Sequence, residues 1–176
     1  MTTEERLAKV EKELADLRAE LAACVRTQAV EVVDDAGNVH ARLGVDEDGP
    51  VLSLLDENGK IRAALGVDED GPVLSLLDEN GKPRVALVVT AVGPTLGLCD
   101  ENGKTRAVLA VLEDGLRLGL LDENGNPRVW LGMAKNVPEV GLTDENGKPR
   151  VGLVVAKEGP TLGLLDAAGK AIWGAP

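Results

Sequence analysis

The chain has no phenylalanine and no tyrosine, and only one histidine, two cysteines and two tryptophans in 176 residues. Each scarcity closes a route. A globular core normally uses aromatic rings to fill irregular volume. An apolar fraction of 44% made almost wholly of aliphatic side chains suits thin, regular layers instead. Two cysteines are too few for a disulfide framework or a zinc site. Ser, His and Cys are too sparse for a nucleophilic triad, so neither an active site nor a cofactor is expected. No run approaches the ~18–20 apolar residues of a membrane span. The start, Met1 to Glu5, is acidic and polar and does not read as a Sec-type signal peptide; the expected setting is the cytoplasm, a virion or another non-classical assembly. Basic residues are also short, 19 against 30 acidic, for a net charge of −11. That balance argues against nucleic acid, whose phosphates demand a basic surface, and against an anionic membrane.

What is present falls into two segments, 1–28 and 29–176. Residues 3–28 read as a helix with apolar or small positions at Leu7, Val10, Leu14, Leu17, Leu21 and Cys24. These alternate steps of three and four, a heptad seam with Leu7, Leu14 and Leu21 at a and Val10, Leu17 and Cys24 at d. Thr2 or Thr3 ahead of Glu4 and Glu5 supplies an N-cap and favourable first-turn charge. Arg6 and Glu13 take the g positions; Glu11 and Arg18 take e. In a parallel, in-register coil Arg6 meets Glu11 of a neighbour and Glu13 meets Arg18, whereas an antiparallel pair brings Glu13 against its own copy. The stretch from Arg6 to Glu11 resembles the Arg-h-x-x-h-Glu pattern of trimeric parallel coiled coils. The alternative is an amphipathic helix packed on its own chain.

Beyond Gln28 the period becomes 22. A turn block recurs at Asp34-Asp35-Ala36-Gly37, Asp56-Glu57-Asn58-Gly59, Asp78-Glu79-Asn80-Gly81, and again from Asp100, Asp122, Asp144 and Asp166. Seven copies without a slip mean a repeat architecture. A second block, clearest at Asp46-Glu47-Asp48-Gly49-Pro50 and Asp68-Glu69-Asp70-Gly71-Pro72, divides each period into gaps of 12 and 10. The segments between blocks are too short for helices and read as strands. Asp-x-Asn-Gly fits a type I turn with a G1 bulge, since Asp accepts backbone hydrogen bonds and Gly takes positive φ without steric cost. The expectation is an antiparallel meander of about fourteen strands.

Pairing outward from Asp56 and Lys60 sets Leu55 opposite Ile61, Leu54 opposite Arg62 and Leu52 opposite Ala64. Across the second turn it sets Val67 opposite Val73 and Leu65 opposite Ser75. One face then carries Leu52, Leu54, Arg62, Ala64 and Gly66, and the other Val51, Ser53, Leu55, Ala63, Leu65 and Val67. Both are largely apolar, so both are expected to be covered, by the chain curling round or by other chains.

Few polar groups interrupt the strands. Arg62, Arg84, Arg106, Arg128 and Arg150 recur once per repeat, and His40 stands at the same position in the first. The arginines are expected to pair with turn carboxylates such as Asp56 or Glu57, their stems covering leucine. The competing reading is an anion-binding ladder for sulfated or phosphorylated polymers. His40 reads as an irregular end repeat. The acidic turns invite a calcium reading, but neither the EF-hand loop nor the calcium β-roll nonapeptide is present. Ser53 and Ser75 share a small-residue position with Gly97, Gly119, Gly141 and Gly163, which points to packing. Cys24 in a parallel coil lies close enough to its copies for an interchain disulfide under oxidising conditions, or is a buried reduced thiol. Cys99 replaces Leu55 and Leu77 and reads as interior. Trp130 stands where other repeats have Ala64, Ala86 or Val108 and is read as filling or as a sugar or partner contact; Trp173 suits an end cap.

A short coil followed by seven β-hairpin repeats resembles the trimeric β-structured shafts of phage tail fibres and bacterial stalk proteins. The resemblance implies a homotrimer, a β-prism or β-helix behind a parallel coiled coil, and a mechanical role as fibre or stalk with high thermal stability. Its alternative is a calcium- or carbohydrate-binding adhesion module with a surface or glycan partner. A monomeric barrel or propeller is the competing architecture, although three and a half 44-residue blades close poorly.

Overall fold

The computed structural model describes residues 2–23 and 28–176, and the side chains of all of these except 19–23. The chain divides into two compact units, 1–30 and 31–176. No helix among the described residues is long and apolar enough to cross a membrane.

The first unit holds α1, Thr3–Ala23. Its start is a reciprocal capping box. Thr2 Oγ1 accepts from the Glu5 amide at 3.2 Å, and the Glu5 carboxylate accepts from the Thr2 amide at 2.6 Å. Two amides that lack partners within the helix are thereby satisfied. Glu4 and Glu5 in the first turn add favourable charge at the positive end of the helix dipole.

The second unit is one antiparallel meander. Its first strands are β1 Ala29–Val33, β2 Val39–Val45, β3 Pro50–Leu55, β4 Ile61–Asp68, β5 Gly71–Leu77, β6 Pro83–Thr90 and β7 Gly93–Cys99. There follow β8 Thr105–Leu112, β9 Gly115–Leu121, β10 Pro127–Ala134, β11 Val137–Thr143, β12 Pro149–Ala156, β13 Gly159–Leu165 and β14 Ala171–Ala175. All 14 strands form a single sheet in sequence order. β1 and β14 are its edges, so the sheet is neither a closed barrel nor a set of propeller blades.

The longer turns follow the expected chemistry. At Asp56 the Gly59 amide donates to the Asp56 carbonyl at 2.9 Å, and the Asp56 amide donates to the Lys60 carbonyl at 2.9 Å. Asp56 Oδ1 accepts from the amides of Asn58 and Lys60, and Gly59 has φ +72°. The shorter turns are tighter: Asp68 pairs directly with Gly71, leaving a two-residue loop. Ala134 to Val137 is a variant in which Lys135 and Asn136 both take positive φ, the mirror-image turn favoured in two-residue hairpins.

The register differs from the sequence expectation by one residue on each side of β4. Leu55 does face Ile61, but the ladder then shifts so that Leu54 faces Ala63 and Leu52 faces Leu65. A second bulge beside the turn, at Ile61 and Arg62, takes the arginine out of the ladder. Across the two-residue loop Gly66 faces Val73, Leu65 faces Leu74 and Ala64 faces Ser75. Because side chains alternate between faces, one extra residue exchanges the two face sets. Leu52 and Leu54 therefore share a face with Ala63, Leu65 and Val67, while Val51, Ser53 and Leu55 share theirs with Ala64 and Gly66.

Candidate assembly surface

The corrected register separates the two faces of the sheet sharply. One row crosses twelve strands as Leu43, Leu52, Leu65, Leu74, Leu87, Leu96, Leu109, Leu118, Leu131, Val140, Leu153 and Leu162, each opposite the next. Beside it Leu alternates with a smaller aliphatic residue, as in Leu54 opposite Ala63, Leu76 opposite Val85 and Leu98 opposite Ala107. The row on its other side pairs Val67 with Pro72, Val89 with Pro94 and Met133 with Pro138. None of these three rows contains a polar side chain. Most of the leucines are open to solvent: Leu65 is 49% exposed and Leu131 51%.

The opposite face is built differently. Its central row reads Ser53, Ala64, Ser75, Ala86, Gly97, Val108, Gly119, Trp130, Gly141, Gly152 and Gly163. Large side chains lie over small neighbours. A Cβ at Gly141 would overlap the Trp130 ring and one at Gly119 would crowd Val108, while one at Gly132 would press on the Leu116 carbonyl with Arg117 in ordinary contact. Trp130 thus fills the space its glycine neighbour leaves, as an aromatic over a cross-strand glycine commonly does. Ser53 is only 6% exposed. Charge is accepted here: Arg117 reaches Asp114 at 3.5 Å and Glu139 at 3.7 Å.

The repeat arginines gather at the longer-turn edge. Arg62, Arg84 and Arg128 each donate Nε to a carbonyl of the next hairpin, those of Leu77, Cys99 and Thr143, at 3.1 Å. Four reach back to their own turn carboxylate: Arg62 to Asp56 at 3.4 Å, Arg84 to Asp78 at 3.7 Å, Arg106 to Asp100 at 3.8 Å and Arg128 to Asp122 at 3.5 Å. Arg150 lies near enough to Asp144 to favour its ionised form. His40 repeats the arrangement in the first hairpin, 3.1 Å from Asp34.

A lysine brace accompanies them that the sequence reading missed. Lys60, Lys82, Lys104 and Lys148 donate Nζ to the carbonyls of Glu79, Glu101, Glu123 and Ala167 at 2.7–3.1 Å, tying each longer turn to the next. The signal was a lysine directly after the turn glycine in successive repeats. Asn126 interrupts that series and bonds its own turn at Asp122 instead.

These contacts set the turn carboxylates. In Asp56, Asp78, Asp122 and Asp144 the amide two residues beyond the intervening Asn or Glu pair, that of Lys60, Lys82, Asn126 or Lys148, is the main influence holding the carboxyl below its usual range. At Asp100 desolvation pushes upward, and the amides of Lys104 and Asn102 together with the Arg106 and Lys104 charges outweigh it. Asp34 is depressed furthest, by the Asn38 side chain first, then the Asn38 amide and His40.

The helix seam residues Leu7, Val10, Leu14 and Leu17 are exposed, as are Arg6, Glu11, Glu13 and Arg18. Glu13 pairs with Lys9 at 3.8 Å, one turn away on the same helix. The Leu21 side chain and all of Cys24 lie outside the described residues. Cys99 is half-buried beside Thr105, and Trp173 stands 50% exposed on β14, opposite Leu164. A groove of about 860 Å³ runs past Leu112, Glu113, Asp114, Lys135 and Asn136 at the shorter-turn edge, where Asp114 is already engaged by Arg117. Among the described residues no three His, Cys, Asp or Glu side chains converge as a metal site would require. No family model and no curated protein matches the chain.

Proposed function

We propose that this chain is the subunit of a homo-oligomeric structural scaffold, a fibre or stalk, with three parallel copies registered by a coiled coil over residues 1–28. One observation carries the reading: among the described residues no hydrophobic side chain is buried. A fold whose stability comes from removing apolar surface from water achieves this only in part inside one copy, where hydrophobic side chains such as Leu55 and Leu121 are half-buried at most. A folded monomer of this mass exposes about 8,200 Å², whereas this chain exposes 12919 Å². The excess of roughly 4,700 Å², shared between helix and sheet, is of the size that obligate subunits cover in one another. The helix contributes a second exposed stripe, with Arg6, Glu11, Glu13 and Arg18 spaced for attraction between parallel copies.

A calcium- or glycan-binding role has less support. Each described Asp that opens a longer turn spends Oδ1 on two backbone amides, and several spend Oδ2 on arginine. Light scattering on the intact chain and on one lacking residues 1–28 tests the scaffold reading. It predicts about 55 kDa for the intact chain, three times 18.4 kDa, and a smaller or heterogeneous mass without the helix. A monodisperse 18.4 kDa particle ends the reading.

A further inference from the structure

We propose that the leucine face of β2–β13 is the surface on which further copies of this chain dock, and that the small-residue face points outward. The proposal rests on the homo-oligomeric reading and assigns the face through which it acts. The two faces have opposite needs. The small-residue face covers itself in part, with Trp130 above Gly141 and Val108 beside Gly119, while Gly152 and Gly163 stand open. It also carries Arg117 and Glu139, 3.7 Å apart, and pressing another subunit on that pair would strip water from both charges. Across β2–β13 the leucine face offers no polar atom from its side chains, and only Leu164, opposite Trp173, has a larger neighbour beside it. Dry contact is the only way to satisfy it.

The occupant is a second copy because of the row's own spacing. Eleven leucines and Val140 stand one to a strand across twelve strands, so a surface that interdigitates with them needs the same strand spacing over the same length. This chain's own leucine row has it, and self-matching patches are the usual basis of symmetric assembly. The excess exposed area is also on the scale of an obligate interface. Uniformity has a further consequence. A slide by one 22-residue repeat leaves leucine on leucine everywhere but at Val140, so the face holds copies together without fixing their register. The non-repetitive helix, with its charged flanks, is the element able to do that.

Neighbouring residues on one strand separate the outcomes. In a full-length background with Cys24→Ser and Cys99→Ala, Leu109→Cys places a thiol on the leucine face and Val108→Cys places one on the other. In a lone subunit Leu109 is 38% exposed while Val108 is half-buried, so a monomer labels Leu109→Cys faster. The proposal predicts the reverse: an oligomeric mass, with maleimide labelling of the Leu109→Cys thiol slower by on the order of tenfold. The pair Leu87→Cys and Ala86→Cys repeats the comparison should either first variant misfold. An oligomeric mass with equal rates, or with the small-residue face protected, overturns the face assignment and leaves the scaffold reading standing. A mass of 18.4 kDa overturns both.

Discussion

Leu153 and Val154 are neighbours on β12, yet they stand on opposite faces with different surroundings. Leu153 stands 40% exposed in a row of leucines with no polar partner. Val154 faces Glu139 across the ladder on a side that already holds Arg117. The difference shows that hydrophobicity averaged over a strand says little about its destination. What separates the faces is whether large side chains have small neighbours to cover. Valine, tryptophan and arginine over glycine make a self-sufficient surface. Leucine beside leucine leaves a surface open to water.

The largest effect should come from breaking that asymmetry. Leu153→Glu places an unpaired carboxylate in the row that we assign to the subunit contact, at a cost on the order of 3–5 kcal/mol per copy. The oligomeric mass and the strand signal in circular dichroism should both be lost. Val154→Lys on the opposite side gains Glu139 as a partner and should leave mass and melting temperature nearly unchanged. Equal sensitivity at the two positions would remove the distinction between faces.

A second comparison sets the two turn edges against each other. Gly71 has φ +129°, and any Cβ there would overlap the Val89 carbonyl; Gly59 has φ +72° with nothing nearby. Gly59→Ala should cost about 1–2 kcal/mol, the penalty of a left-handed alanine. Gly71→Ala should cost more, since backbone must move as well. Denaturant melts of the two variants decide the order.

The longer-turn edge should also answer to acid. The turn aspartates, Asp56 and its equivalents, have folded-state pKa values below the usual carboxylate range. Their contribution is complete above pH ~4, the unfolded carboxylate value, and is lost as pH falls from there through the depressed folded values. Thermal melts should therefore hold steady from pH 7 to about 5 and decline below about 4. A decline centred near neutrality would point elsewhere. The smallest expected change is Arg84→Ala, which removes a half-exposed ion pair and one carbonyl contact. Under about 1 kcal/mol per site is expected, read as a small fall in denaturant midpoint.

Much of this architecture is visible in the residues themselves. The 22-residue interval, Asp and Gly in every longer turn, and strand-length segments between turns lead to a fourteen-strand meander without further help. Thr2 and Glu5 announce the helix start. Register was not legible, because turn chemistry counts residues in the loop and is silent about a bulge two positions later. Arg62 looked like a strand residue and is instead the extra residue of that bulge. A competing signal was present: setting Leu52 against Leu65 and Leu65 against Leu74 gathers the leucines on one side, and only an added residue permits it. The lysine brace escaped because a lysine after a turn looks like ordinary solvated charge. Its use depends on a carbonyl nineteen positions away, as in Lys60 and Glu79.

The central claim is that one copy has too little to bury and that folding and assembly are a single event. Thermal unfolding of the intact chain across a hundredfold range of protein concentration tests it most directly. Mass action raises the midpoint with concentration when folding requires association, and that rise is the predicted result. A midpoint independent of concentration, in a particle of 18.4 kDa, would contradict the account.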